Sequence, residues 1–278
     1  MNAWRLMWLL GLVPAAFILV LRSRIIPESA RFLIAQGRLR EARLAAESLI
    51  GPIPDSDPWD EPPKTVGAST PVARLFWKRY LSQTLSLGLF SFSWGIANFG
   101  FVIWLPTLMT QLGYKDAQSS SYLALSALLA VPALAVSTWL YTRWSTKGTL
   151  VAYALGGGLA IAAMGAALGG ALVSAPTLIG LVSLTILFLT SLAGAYPIYT
   201  AEVFPTEIRS LDSGIVHALG RIGALLGPLV GGIWFTRGGS ILSFEMALAT
   251  LLAIGGIVLA FTGRETRGKT LEQIEREF

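Results

Sequence analysis

The sequence predicts an all-α integral membrane protein that crosses the bilayer seven times. Of its 278 residues, 54% are hydrophobic and only 13% are charged. The mean hydropathy of +0.63 is too high for a soluble domain of this length. Seven apolar runs are each close to the length that crosses a hydrocarbon core of roughly 30 Å: residues 3–21, 82–107, 120–141, 149–170, 176–199, 211–235 and 241–262.

The first run, within residues 1–21, is predicted to be a transmembrane helix rather than a signal peptide. It lacks a strongly basic start, and it is followed by Arg22 and Arg24 instead of a small-residue cleavage site. Positive charge after a membrane span favours the cytoplasm. The C-terminal end of this helix is therefore expected on the cytoplasmic side.

Residues 22–79 are predicted to form a cytoplasmic central loop. Residues 30–35 and 38–50 are typical of two short helices separated by Gly37. Residues 51–71 contain six prolines and four carboxylates, which leave little apolar surface to bury. This last part is predicted to be a disordered linker.

The six later runs are predicted to form one transmembrane bundle, residues 80–263, followed by a cytoplasmic tail, residues 264–278. Seventeen Lys and Arg residues lie on one side of the predicted membrane and three on the other, with Arg221 inside a run. This asymmetry predicts an N-terminus outside and a C-terminus in the cytoplasm. It also accounts for the net charge of +5 without a nucleic-acid partner.

One span, a long loop and six further spans match the second part of a twelve-span transporter, which joins two six-helix halves by a central cytoplasmic loop. On this template residues 3–21 correspond to the sixth helix, and a missing N-terminal half is expected upstream of Met1. The sequence shows no metal-ligand cluster and no set of nucleophile, base and orienting group. No enzyme activity, metal or cofactor is therefore predicted.

Two ionisable side chains, His217 and Arg221, lie inside the run 211–235. They are four residues apart, about 40° around a helix, so they share a face. The roughly opposite face carries small residues at every fourth position, which predicts close packing against another helix: Gly223, Gly227 and Gly231.

His217 and Arg221 are accordingly predicted to face a water-filled cavity. A fixed arginine there would suit a carboxylate substrate, and a histidine titrates near neutrality and could carry a proton. The alternatives are that Arg221 pairs with helix-end carbonyls or with Glu202, and that His217 is a packing residue.

Five further side chains are candidates for the substrate site. Trp94 and Asn98 share a helix face and would offer a flat ring beside an amide. The alternative is that the aromatic residues are interface anchors or lipid-facing side chains. The candidates are Trp94, Asn98, Phe99, Tyr196 and Tyr199.

Three motifs carry a family resemblance. They are PESARFL at 27–33, AEVFPTEIR at 201–209 followed by GRIGA at 220–224, and GRETRGKTLEQIE at 263–275. Together they resemble the sugar-transporter-like branch of the major facilitator superfamily. The resemblance implies that the last six helices form the C-terminal six-helix bundle of that fold and that the chain takes part in secondary transport by alternating access.

The resemblance also implies a cytoplasmic gating charge network that holds the outward-facing state. Such charge pairs suit a latch because each is weak enough to break. The alternative is that they are solvated loop charges. The residues are Glu202, Arg209, Arg143, Glu28, Arg31 and Glu265.

The substrate class is predicted from departures from the sugar porters. Their seventh helix carries a Gln-Gln pattern, whereas this chain has one glutamine there, Gln83, and the stretch FGFVIWLPTLM at 99–109 is more similar to metabolite and aromatic-acid symporters. We expect a proton-coupled symporter of small organic acids or aromatic metabolites in a bacterial inner membrane, driven by the proton gradient. The alternatives are a sugar:proton symporter and a truncated, transport-inactive protein that acts only by association.

Overall fold

The computed structural model describes residues 12–21, 28, 30–35, 37–52, 78–111, 116–169, 174–269 and 273–274. All regular structure in these ranges is helical. The chain divides into two compact units, Met1–Ala68 and Ser69–Phe278. The predicted all-α class is confirmed for the part of the chain that is described.

The first unit contains three described helices: α1 (Leu12–Leu21), α2 (Ala30–Ala35) and α3 (Leu39–Ile50). Between α2 and α3 the chain turns at Gly37, whose φ of 76° is accessible to glycine at little cost. Leu33 of α2 packs against the buried alanines of one face of α3, so this helix is amphipathic as predicted. Of the linker predicted at 51–71, residues 53–71 lie outside the described ranges.

The second unit contains six long helices. Five of them are long and apolar enough to cross a membrane, and the sixth, α5, has 28 residues. Since α1 is described over Leu12–Leu21 alone, the count of seven spans stays a prediction. The six helices are α4 (Lys78–Gln111), α5 (Asp116–Arg143), α6 (Thr146–Gly169), α7 (Ala175–Val203), α8 (Thr206–Thr236) and α9 (Ile241–Thr262).

The glycine face of α8 packs directly against α4, as the sequence predicts. A methyl group added at Gly227 would lie 2.7 Å from the carbonyl oxygen of Ile96 and 2.8 Å from the backbone nitrogen of Gly100. At the next glycine along α8, Gly231, the neighbour is the Trp104 indole. The two helix backbones therefore approach as closely as they do because these positions have no side chain.

The charged stretch after α7 is more helical than its composition indicates. Glu202 and Arg209 lie between two predicted apolar runs, but Glu202 lies in the last turn of α7 and Arg209 lies inside α8. The connection is Phe204 and Pro205, and Pro205 has the extended conformation of an N-cap, with φ −61° and ψ 155°. Both helices extend beyond their apolar runs because polar residues are compatible with a helix end, where water and neighbouring loops can solvate them.

Candidate functional site

Three of the predicted site residues meet where α4, α7 and α8 lie together, and we call them the aromatic cluster: Trp94, Tyr196 and His217. The Trp94 and Tyr196 ring centroids are 5.1 Å apart. The His217 ring lies 5.3 Å from Tyr196 at an interplanar angle of 33°. These separations are in the range of favourable ring contacts. Tyr196 is buried, whereas Trp94 and His217 are partly exposed.

The polar atoms of the aromatic cluster are only partly occupied. The Trp94 indole N–H donates to the Leu189 carbonyl oxygen at 3.0 Å. His217 Nδ1 is 2.6 Å from the Ser213 carbonyl oxygen, and because a carbonyl can only accept, Nδ1 carries the hydrogen. In neutral His217 this leaves Nε2 as a proton acceptor, with no hydrogen-bond partner among the described residues.

Arg221 lies one helical turn beyond His217 on α8 and is exposed. Within the described ranges its guanidinium has no hydrogen-bond or ion-pair partner, so neither Glu202 nor a helix-end carbonyl occupies it. Counted from Thr206, Arg221 is about 22 Å along a helix of about 46 Å. A planar guanidinium at this position can accept a carboxylate in bidentate geometry.

The other three substrate-site candidates differ in position. Phe99 meets Trp94 edge to face, with ring centroids 6.4 Å apart. Asn98 is half-buried, and its amide makes no hydrogen bond to a described residue. Tyr199 does not join the aromatic cluster. It is fully buried, and its hydroxyl donates to the Arg264 carbonyl oxygen at 2.6 Å and accepts from the Arg264 N–H at 2.8 Å.

A second site lies at the C-terminal end of α7, about 9 Å along the helix from Tyr196, where Glu202 and Glu265 each accept several hydrogen bonds. We call it the carboxylate cluster. Glu202 accepts from the Tyr141 hydroxyl at 2.8 Å and from Thr266 Oγ1 at 2.7 Å. These bonds join α5 and α7 to the tail that follows α9.

Glu265 is bound to the first residues of α6. Its carboxylate accepts from the backbone N–H of Thr146 at 2.9 Å, from Thr146 Oγ1 at 2.5 Å and from the Ser145 hydroxyl. Burial opposes ionisation of Glu265, but the hydrogen bonds from Ser145, Thr146 and Arg267 outweigh it and hold the pKa of Glu265 below its ordinary value. The ionised carboxylate therefore acts as a tertiary cap for the N-terminus of α6.

Of the cationic members of the predicted gating network, Arg209 and Arg143 have described side chains, and neither forms an ion pair with Glu202 or Glu265 within the described ranges. Arg209 donates from Nε and Nη2 to the Phe204 carbonyl oxygen, both at 3.2 Å. Arg143, the last residue of α5, is exposed, and so is Glu28. The side chain of Arg31 lies outside the described part of the structure. The gating network stays a prediction, and the hydroxyl partners of Glu202 and Glu265 are an addition to it.

Two buried carboxylates were not among the predicted site residues. Asp212 of α8 and Glu245 of α9 both have no exposed surface. Asp212 Oδ1 is hydrogen-bonded to Thr84 Oγ1, and Oδ2 has no partner among the described residues. Neither Glu245 oxygen has one there. The sequence did contain an indication of both residues, since each is a single acid near the start of an apolar run. An acid in such a position is costly in a membrane and tends to be functional.

The described residues contain no group of three or more His, Asp or Glu side chains that could hold a metal ion. Their arrangement therefore gives no structural basis for a metal site in this part of the chain.

Comparison with known proteins identifies the family. A family model described as "Sugar (and other) transporter" matches residues 1–278. The chain belongs to this family, a branch of the major facilitator superfamily. Its members are membrane transporters and not enzymes. The proton:xylose symporter XylE shares its fold, with a TM-score of 0.80 at 16% identity, covering 99% of this chain and 59% of XylE.

Several bacterial relatives belong to the same family. A niacin transporter of Acinetobacter baylyi is 28% identical, over 98% of this chain and 61% of its own length. An inner membrane metabolite transport protein of Escherichia coli is 31% identical, over 97% of this chain and 58% of its own. A gallate transporter of Pseudomonas putida is 28% identical, over 89% and 53%. The chain thus spans little more than half the length of such relatives and, with its apolar helices, is an integral bacterial membrane protein.

Proposed function

We propose that this chain is the second helical half of a proton-coupled carrier for small aromatic carboxylates. The observation that carries the proposal is an exposed arginine without a described partner, Arg221, one turn from a histidine that stacks on Tyr196. Support comes from the relatives, since niacin and gallate are both aromatic rings that carry a carboxylate.

In the proposed complex Arg221 binds the substrate carboxylate. A guanidinium offers parallel N–H donors to both carboxylate oxygens, and it is less strongly hydrated than a lysine ammonium. The substrate ring packs beside Trp94 and Tyr196, whose faces provide apolar contact area. The free amide of Asn98 and the edge of Phe99 complete the α4 side of the pocket.

His217 is proposed to carry the coupled proton. With Nδ1–H bound to Ser213, protonation takes place at Nε2, and the imidazolium then adds a second positive charge next to Arg221. A substrate anion and a proton would stabilise each other in the loaded carrier. This arrangement predicts that protonation of His217 raises the affinity for the carboxylate.

The carboxylate cluster is proposed to belong to the cytoplasmic latch of an alternating-access cycle. Its bonds to Tyr141, Thr146 and Thr266 hold one conformation, and Arg143 and Arg209 provide cations for exchange in the other. We further propose that the chain lies in a bacterial inner membrane, with its C-terminus in the cytoplasm, and that transport requires a first helical half to complete the substrate site.

The test is uptake of labelled nicotinate and 4-hydroxybenzoate by proteoliposomes, with and without an inward proton gradient. The chain is reconstituted alone and together with a separately expressed first helical half of a full-length relative, and the matched amides and a hexose serve as comparison substrates. We expect carboxylate uptake that requires the gradient and is lost in Arg221→Gln. Arg237→Gln is the matched control, because Arg237 is an exposed arginine at the far end of α8.

Three other outcomes would contradict the proposal or the role that it gives to Arg221. Uptake of the hexose but not of the acids would establish a sugar symporter and overturn the proposal. Acid uptake that is equal in wild type and Arg221→Gln would exclude Arg221 as the carboxylate site. If no substrate is taken up in either reconstitution, the chain would be a membrane protein that acts by association alone.

A further inference from the structure

A buried hydrogen-bonded group joins α4 to α8 through Asp212 and Thr84. Asp212 has no exposed surface, and Thr84 is 5% exposed. Thr84 Oγ1 lies 2.5 Å from Asp212 Oδ1 and 3.0 Å from the carbonyl oxygen of Tyr80, one turn earlier on α4. Asp212 is about 9 Å from the start of α8, so this bond links the two helices well inside the bundle.

The hydrogens in this group do not suffice if Asp212 is ionised. A threonine hydroxyl has one hydrogen, so it makes one full hydrogen bond or shares a weaker three-centre bond between two acceptors. The Asp212 carboxylate and the Tyr80 carbonyl both lie within hydrogen-bond distance of Thr84 Oγ1. Two full hydrogen bonds therefore need a second hydrogen.

A proton on Asp212 supplies that hydrogen. The Asp212 O–H then donates to Thr84 Oγ1, and the Thr84 O–H donates to the Tyr80 carbonyl, so every short oxygen pair has one hydrogen. The proton comes from hydronium in the aqueous phase: one hydronium O–H bond breaks, the Asp212 O–H bond forms, and a water molecule is left. In this arrangement Oδ2, which has no partner among the described residues, is a neutral carbonyl-type oxygen rather than half of a buried charge.

Among the described residues no cation forms an ion pair with Asp212. On α4, Thr84 contacts Asp212. The neighbouring Tyr80 and Gln83 are buried, and Gln83 Nε2 has no described hydrogen-bond partner. On α8 itself Arg209 donates to the Phe204 carbonyl and His217 bonds to Ser213. Neither forms an ion pair with Asp212 within the described ranges.

We propose that Asp212 is a proton-binding site that fastens α8 to α4 when it is loaded. Loss of the proton leaves a buried carboxylate with one hydroxyl donor, which favours separation of the two helix ends and entry of water. Since α4 and α8 also carry Trp94 and His217, the state of Asp212 is transmitted to the aromatic cluster. The transport consequence rests on the proposed function, but the proton site itself does not.

Infrared difference spectroscopy of the chain reconstituted in lipid tests the site directly. We expect the carboxylic-acid C=O band to contain a component that disappears in Asp212→Asn, whose amide can still donate to Thr84. Glu245→Gln is the matched control, because it removes the other buried acid and should leave this component unchanged. Thr84→Val should shift the component to higher frequency through loss of the hydroxyl acceptor, which provides a second readout if Asp212→Asn folds poorly.

A protonated-acid band that is the same in wild type, Asp212→Asn and Thr84→Val would overturn the proton site.

Transport measurements then distinguish failure of this proposal from failure of the proposed carboxylate transport. Asp212→Asn should retain exchange of labelled for unlabelled nicotinate and lose accumulation driven by the proton gradient. If wild type takes up no acid while the Asp212 band is present, the substrate proposal fails and the proton site stands. If Asp212→Asn still accumulates substrate under the gradient, the coupling role of Asp212 is excluded.

Discussion

Replacing Gly223 with alanine should loosen the contact between α8 and α4. A methyl group there would overlap the carbonyl oxygen of Phe92 and lie 3.1 Å from the backbone nitrogen of Ile96. Carbon contacts are most favourable at about 3.5–4.0 Å, so the helices must separate by roughly 1–2 Å to clear the Phe92 oxygen. The obstructing atoms belong to the backbone and cannot turn aside as a flexible side chain would. Overpacking of this kind costs about 1–3 kcal/mol.

Gly214→Ala is the matched control on the same helix. Gly214 is exposed, and a methyl group there meets no atom within 4 Å. Alanine is favoured over glycine in a helix by about 1 kcal/mol, and both variants receive this benefit. The two variants should therefore differ by about 1–3 kcal/mol in free energy of unfolding, with Gly223→Ala the less stable.

Unfolding in mixed micelles, followed by circular dichroism as the denaturing detergent is increased, measures this difference. Equal midpoints for Gly223→Ala and Gly214→Ala would refute the close approach of α4 and α8.

Three further predictions concern other polar contacts. Ser145→Ala should cost about 1 kcal/mol in unfolding free energy, because the Ser145 hydroxyl accepts from the Gly148 N–H at 2.7 Å as an N-cap; an unchanged midpoint would contradict this. Glu265→Gln should lower the free energy of unfolding at pH values above 4.5, the ordinary pKa of a glutamate. The difference from wild type should vanish as the pH falls through the lower pKa that Glu265 has in the folded chain. A difference that grows in acid would contradict this prediction. Glu245→Met, similar in volume, should be neutral or stabilising because neither carboxylate oxygen has a described donor; a marked loss of stability would indicate an unrecognised donor.

The helix packing was predictable because it depends on spacing within one helix. Glycines at every fourth position indicated a close contact, and the structure places Gly227 against Ile96 and Gly100 of α4. The same periodicity separates Arg221 from this glycine face, since Gly223 is buried and Arg221 is exposed. That His217 and Arg221 face a water-filled cavity stays a prediction. Apolar runs predicted the helices but not their ends, because polar residues at a terminus can continue a helix.

Contacts between distant residues could not be predicted. Glu202 binds hydroxyl groups 61 and 64 residues away along the chain, on Tyr141 and Thr266. Threonines and tyrosines are common, so no local pattern distinguishes the ones that contact a carboxylate. Tyr199 was indistinguishable from Tyr196 by sequence, yet three positions along a helix turn its hydroxyl to the backbone of Arg264.

Binding of nicotinate and nicotinamide to wild type and Arg221→Gln tests the central claim most directly. The two ligands have the same ring and differ in the carboxylate, so their affinity ratio isolates the contribution of Arg221. Wild type should prefer nicotinate by at least about tenfold, which corresponds to about 1.4 kcal/mol, and Arg221→Gln should bind the two ligands equally. A preference for nicotinate that survives in Arg221→Gln would contradict the assignment of Arg221 as the carboxylate site.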